Sequence, residues 1–350
     1  MVVMVESMAQ HGARSGTSYG RGGSRNTVQK LRHTSQLETS SGLRAQFQDG
    51  VLTVVSAGFE QSVVHADDPT RLDFEYLQQM DVVLAQAVAD QVFGEELLQR
   101  PQQRGQSALR IFHAGAGACA LPWAWSVSYP GARQACAEVD RELVEFVRQS
   151  LPLPGKLALS LQVGDAREVL ASYRKAQFQV VVRDAFCDEV VPPHLTTQEW
   201  NQLVWTQLAP GGMYMANVAH SPSAPARREI AAIEAVFDCT FLVGEPKALK
   251  TARKGNLVAV GLKARALQSS ALGTRAAKIC TSIADTLEAG ASKTVTLPTS
   301  STEVGILGAA GAGFDFDALD RKLRSMALPV RIVRPTELKR WLGGAKPLSA

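Results

Sequence analysis

The sequence predicts a doubly wound α/β domain with a mostly parallel sheet over residues 106–263, preceded by a small N-terminal β region. Three observations predict it. Short apolar runs alternate with amphipathic stretches of helical length. Those runs are nearly continuous, as in strands covered by helices on both faces. Glycine turns and acids stand at the ends of successive strands, where ligands bind in such sheets.

Residues 1–44 are poor in large apolar groups and rich in Gly, Ser, Arg and Gln. Such a segment cannot bury enough surface to offset its ordering entropy and is expected to be disordered. Its basic excess (Arg14, Arg21, Arg25, Lys30, Arg32) also fits an organellar transit peptide, although a solvated tail is the plainer expectation.

Residues 45–105 predict a hairpin or small sheet around the Asp49-Gly50 turn signal. A helix over Leu72–Val92 follows, started by Asp67-Asp68-Pro69, with Leu77, Met80, Val83, Leu84 and Val88 at helical spacing. Pro101–Gly105 reads as a linker.

Strands are expected at Leu109–His113, Gln134–Val139, Leu157–Val163, Phe178–Arg183, Met213–Val218, Cys239–Val243 and Leu257–Gly261. Helices are expected at Cys119–Val127, Arg141–Ser150, Ala166–Arg174, Thr197–Leu208 and Ala224–Val236. The last two strands lack a long helix between them and are expected to form an antiparallel edge pair. Residues 264–350 form a C-terminal extension. Its stretch 290–313 has linker composition, and Phe316–Leu342 holds a helix, a short strand at Val330–Val333 and a second helix.

The bulk numbers exclude several classes. A net charge of +4 over 350 residues is too mild to argue for nucleic acid or an anionic membrane. No apolar run reaches the roughly 20 residues that span a bilayer. The N-terminus lacks a signal-peptide core, so a cytoplasmic protein is expected. The five cysteines are scattered, with no CxxC pair, and read as reduced thiols. His113, His194 and His220 have no ligand spacing, so no metal is expected.

The strand ends carry the chemistry. Gly115-Ala116-Gly117-Ala118-Cys119-Ala120 follows the first core strand, and its glycines permit a tight turn and close backbone approach to a ligand. Glu138 ends the second strand about 20 residues on, the distance at which an acid accepts from ribose hydroxyls. Gly164-Asp165-Ala166 ends the third, where Asp165 meets a purine edge or caps the next helix. Asp184 ends the fourth, placed to orient a nucleophile or accept its proton. Gly115-x-Gly117-x-x-Ala120 also satisfies the dinucleotide fingerprint, which keeps NAD as a distant alternative. Leu208-Ala209-Pro210-Gly211-Gly212 before the fifth strand favours the other cofactor class.

That series resembles the Rossmann-like class I S-adenosylmethionine-dependent methyltransferases, whose sheet ends in an antiparallel strand. Over roughly residues 45–262 it looks most like their spermidine synthase-like, aminopropyltransferase branch. The matching pieces are Gly58-Phe59-Glu60-Gln61-Ser62, Phe74-Glu75-Tyr76, Ala137-Glu138-Val139-Asp140, Gly164-Asp165-Ala166, Asp184 and Pro192-Pro193-His194-Leu195. The resemblance implies S-adenosylmethionine or its decarboxylated form as cofactor, held by Gln61, Gly115, Gly117, Glu138, Asp165 and Ala166. It implies an amine acceptor lined by Tyr76 and Asp188, with Asp184 as the catalytic base. It also leaves a homodimer open. The family's glycine loop carries an Asp that grips the aminopropyl ammonium, whereas Ala118 or Cys119 stands there in this sequence. Its second acid after strand four falls one residue later, at Asp188. Three functions follow: aminopropyl transfer in polyamine biosynthesis, methyl transfer from intact cofactor, or a homologue that keeps the nucleoside site without the chemistry.

Overall fold

The computed structural model describes residues 34–94, 109–155, 158–187, 190–221, 226–250, 254–265 and 313–350. The tail 1–33, the linkers at 101–105 and 290–312, Cys280 and Asp188 lie outside them.

The chain opens with an antiparallel four-stranded sheet in the order β1 (Ser35–Glu38), β2 (Arg44–Gln48), β3 (Val51–Ser56) and β4 (Phe59–His65). Two-residue turns at Asp49-Gly50 and Ala57-Gly58 join β2 to β3 and β3 to β4, all four residues at positive φ. That is the backbone hand that matches strand twist. Strand β1 falls inside the stretch expected to be disordered. Leu37 packs against the core, and the strand pairs along its length with β2, which gives a polar sequence a reason to order.

Helix α1 (Glu75–Ala89) follows. It starts later than the Asp67-Asp68-Pro69 signal, because Asp68 turns its carboxylate to the Thr70 amide and hydroxyl, a local turn that competes with helix.

The second sheet contains β5 (Arg110–Ala114), β6 (Arg133–Glu138), β7 (Leu159–Val163), β8 (Phe178–Arg183), β9 (Leu208–His220), β10 (Cys239–Gly244), β11 (Gly255–Leu262) and β12 (Arg331–Val333). Their order is β12-β10-β11-β9-β8-β5-β6-β7, with the five strands from β9 to β7 parallel. Strands β10 and β11 pair antiparallel, as expected, but they are not the edge; β12 from the C-terminal extension covers β10. The Pro210-Gly211-Gly212 turn lies within β9, not ahead of it. There the register with β8 jumps from Phe178↔Leu208 to Val180↔Met213.

The helices between the strands are α2 (Ala120–Ser128), α3 (Arg141–Ser150), α4 (Ala166–Ala171), α5 (Gln198–Gln207), α6 (Arg227–Glu234) and α7 (Pro246–Lys250), followed by α8 (Phe316–Arg324) and α9 (Pro335–Leu342). Strand residues alternate between two apolar layers. Ile111, Val180, Val182, Met213 and Met215 pack with α1, α2, α3 and α8. Phe112, Val181, Tyr214 and Ala216 pack with α4, α5, α6 and α9. Period-two alternation thus builds both cores, and each buried Leu, Val or Phe contributes roughly 1.5–3 kcal/mol. Among the described residues no helix is long and apolar enough to cross a membrane.

The strand sequence runs outward in both directions from β5: to β6 and β7 on one side, to β8 and β9 on the other. The switch point between β5 and β8 is where such sheets open a crevice at their carboxyl ends.

Candidate active site

Hydrogen bonds lay four strand ends side by side. The Asp184 amide donates to Ala114 O, the Gly115 amide to Ala137 O, and the Gly164 amide to Glu138 O. Asp184, Gly115, Glu138 and Asp165 therefore follow neighbouring strands in the order β8-β5-β6-β7. Three strand spacings, roughly 14 Å, separate the outer two. Within that row the structure brings Glu138 and Asp184 to the glycine loop and engages Asp165 elsewhere.

Gly115 has φ +90°, and a Cβ there would stand 2.2 Å from the Asp184 carbonyl oxygen. The loop and the Asp184 backbone thus touch at the switch point, and only glycine permits the contact. Gly117, at φ +48°, packs against the side chain of Ser62. Ser62 Oγ accepts from the Ala118 amide at 3.2 Å, so β4 pins the loop from the N-terminal sheet. Sequence reasoning gave Ser62 no role. Gln61 precedes it as the unpaired residue of a bulge, since Val54 pairs with Ser62 and Val55 with Glu60. Bulges re-aim side chains in this way.

Glu138 Oε2 accepts from the amides of Ala116 at 3.1 Å and Gly117 at 3.0 Å, and Oε1 accepts from the Asp140 amide. Its carboxylate shapes the loop and keeps lone pairs for further donors. Asp165 caps α4, with Oδ1 accepting from the Arg167 and Glu168 amides. Its Oδ2 accepts from His194 Nε2 at 2.8 Å. Burial acts to raise the Asp165 carboxyl, but the Glu168 and Arg167 amides and His194 outweigh it and hold the group below the usual range. Ala166, the first residue of α4, is buried. Asp165 and His194 border an open hollow of about 620 Å³ with Arg167, Glu168, Ala171 and Leu203.

Asp184 sits in a polar cluster. Its Oδ2 accepts from the Tyr76 hydroxyl at 3.0 Å, and its Oδ1 accepts from Asn217 Nδ2 at 2.9 Å. Tyr76, at the start of α1, and Asn217, on β9, are both buried. Burial pushes the Asp184 carboxyl above its ordinary value, against the pull of Asn217, Tyr76 and the neighbouring Arg183. Burial, and then the charge of Asp184, push the Tyr76 phenol well up, so it remains a donor. Asn217 Oδ1 is buried without a partner. Sequence reasoning missed Asn217, although an amide inside the apolar run Met213–Val218 was a usable signal.

Ala118 and Cys119, which close the glycine loop, are both fully buried. Cys119 holds a left-handed backbone, φ 64°, at the start of α2. Among the described residues no group of three His, Cys, Asp or Glu side chains is arranged to hold a metal ion.

No protein-family model matches the chain, and no curated protein matches it. Solved structures do. A human methyltransferase-like protein 13, solved in complex with SAH, is 17% identical over 67% of this chain and 100% of that chain, with a TM-score of 0.44. A spermidine synthase from Thermotoga maritima is 14% identical over 84% of this chain and 87% of that chain, with a TM-score of 0.41. A probable spermidine synthase from Corynebacterium glutamicum is 23% identical over 91% of this chain and 97% of that chain, with a TM-score of 0.66. This last likeness shows the fold: the chain has a spermidine synthase-like, class I methyltransferase-type architecture, a small antiparallel sheet set before a mostly parallel one.

Proposed function

We propose that the chain is a group transferase that binds an S-adenosylmethionine-type nucleoside across the ends of β5, β6 and β7. It would pass the aminopropyl group of the decarboxylated form to a small amine, a step of polyamine formation. The observation that carries this reading is the Tyr76–Asp184–Asn217 cluster at the switch point. The glycine loop, Glu138 and Asp165 are of the right chemistry for purine nucleoside recognition: backbone approach, a ribose acceptor and a purine-edge acceptor.

The bound sulfonium supplies an electrophilic carbon. Asp184 accepts an N–H of the incoming amine while Tyr76 and Asn217 fix its two oxygens. As the new C–N bond forms, the C–S bond breaks and its electron pair goes to sulfur. Asp184 then takes the surplus proton from nitrogen. The rate comes mainly from holding the amine in line, because positioning alone is worth several orders of magnitude.

One observation favours a second reading, methyl transfer from intact S-adenosylmethionine. With Ala118 and Cys119 in the loop, the aminopropyl ammonium lacks its counter-charge. A lost charge-assisted bond costs about 1.5–3 kcal/mol. Calorimetry with both cofactor forms, followed by assay of 5′-methylthioadenosine release with putrescine, tests the proposal. Tighter binding of the decarboxylated form and amine-dependent release support aminopropyl transfer. Tighter binding of the intact form supports methyl transfer, and binding of neither rejects both.

A further inference from the structure

Arg183, the residue before Asp184, is a fully buried cation. Successive strand residues point to opposite faces, so its side chain runs away from Asp184 into the layer of α5 and α6. Its Nη2 donates to the Asn217 backbone oxygen at 2.6 Å and pairs with Glu229 Oε1 of α6 at 2.5 Å. Its Nη1 lies 3.5 Å from Leu195 O.

Both carbonyls belong to the two halves of the candidate site. Asn217 sends its side chain to Asp184. Leu195 ends the short turn Pro193–Leu195 that presents His194 to Asp165. We infer that Arg183 is a positioning residue that braces the amine side and the nucleoside side of the site against each other, through the backbone oxygens of Asn217 and Leu195. The inference rests on the proposed transferase reading. Substrate cannot reach Arg183, so it acts only through these neighbours.

A forked, planar cation reaches both carbonyls at once, Asn217 O from Nη2 and Leu195 O from Nη1. Guanidinium presents several donors in a rigid plane, whereas a lysine ammonium is a single point on a flexible stem. The charge also bears on Asp184, lowering its carboxyl against burial. Glu229, Tyr214 and Asp184 are the titratable groups that bear on Arg183. Tyr76 faces Asp184 from α1, and the glycine loop presents backbone to it.

Three variants test this. Removing Arg183 alone would strand the buried Glu229 charge, so the charge-removing variant is Arg183→Met with Glu229→Met, a swap of a buried pair for apolar volume. Arg183→Lys keeps the charge and the partner but loses the fork, and Glu229→Gln keeps the fork. Asp184 is followed by carboxyl 13C NMR, its signal identified by loss in Asp184→Asn, alongside kcat and nucleoside affinity. In the double variant the Asp184 midpoint should rise by about half a pH unit or more, and the acid limb of the rate profile should rise with it. In Arg183→Lys, kcat should fall about tenfold or more, with nucleoside affinity weakened. Glu229→Gln should not raise the Asp184 midpoint. An Arg183→Lys protein with kcat and affinity within about twofold of wild type overturns the inference, as does a folded double variant with an unmoved midpoint. A wild-type protein that transfers no group refutes the transferase reading instead, and the NMR midpoint and nucleoside affinity still judge Arg183.

Discussion

The hydroxyl of Tyr76 donates to Oδ2 of Asp184 across 3.0 Å, joining the start of α1 to the end of β8, 108 positions later in the chain. This bond holds a helix outside the parallel sheet against the residue at its switch point. A half-buried acid in that place has consequences for stability as well as for chemistry.

Burial raises the Asp184 carboxyl, so the folded chain holds this proton more tightly than the unfolded one. Its contribution to stability is therefore full below the unfolded value, about 3.9, and is lost as pH rises through the raised folded value. Asp184→Asn removes that loss. The variant should melt no lower than wild type at pH 7.5, and the difference should shrink or reverse near pH 4. Transfer should fall about 100-fold or more. A calorimetric melting series over pH, paired with rates, checks both expectations.

Gly115→Ala forces a Cβ into the Asp184 carbonyl at 2.2 Å and places alanine at φ +90°. Strain and overpacking together should cost about 3 kcal/mol or more. Urea unfolding should show this, and nucleoside binding should vanish in whatever protein remains folded. Retention of wild-type stability would mean that the loop does not rest on Asp184.

Glu138→Gln keeps one acceptor for the Ala116 and Gly117 amides but loses the charge. Nucleoside affinity should drop about 10- to 100-fold, the scale of a charge-assisted bond. Global stability should change by less than about 1 kcal/mol. Titration calorimetry against 5′-methylthioadenosine separates the two effects.

Asp165 serves two partners of unequal worth. Its pairing with His194 joins side chains 34% and 43% exposed, so His194→Ala should cost less than about 1 kcal/mol. Asp165→Ala also uncaps α4, which adds about 1 kcal/mol. Chemical denaturation of both variants should rank Asp165→Ala as clearly the more damaging.

Much of the sheet was legible because buried parallel strands are written as apolar runs. Phe178–Arg183 and Arg141–Ser150 match their expected limits residue for residue. The edge was not legible. Strand β12 is three residues long and joins β10 from far along the chain, a pairing that no local pattern encodes. Strand β1 was hidden because its polar residues order only on β2. At the candidate site, the glycines and the strand-end acids stood out by position. The bonds of Asp184 to Tyr76 and Asn217 did not, since they join segments 108 and 33 residues away. Asp165 shows the ambiguity that remained: one carboxylate can cap a helix and stand at a strand end at once, and the structure has it capping α4 and meeting His194.

Strand β12 has a consequence for how the protein is made. During synthesis β10 emerges well before Arg331–Val333, and until those residues arrive its outer backbone groups have no strand to meet. An open flank of that kind invites neighbouring chains to add themselves. Ribosome-bound intermediates should therefore clump more readily than the finished protein, and chaperones that shield nascent β-structure should raise its yield.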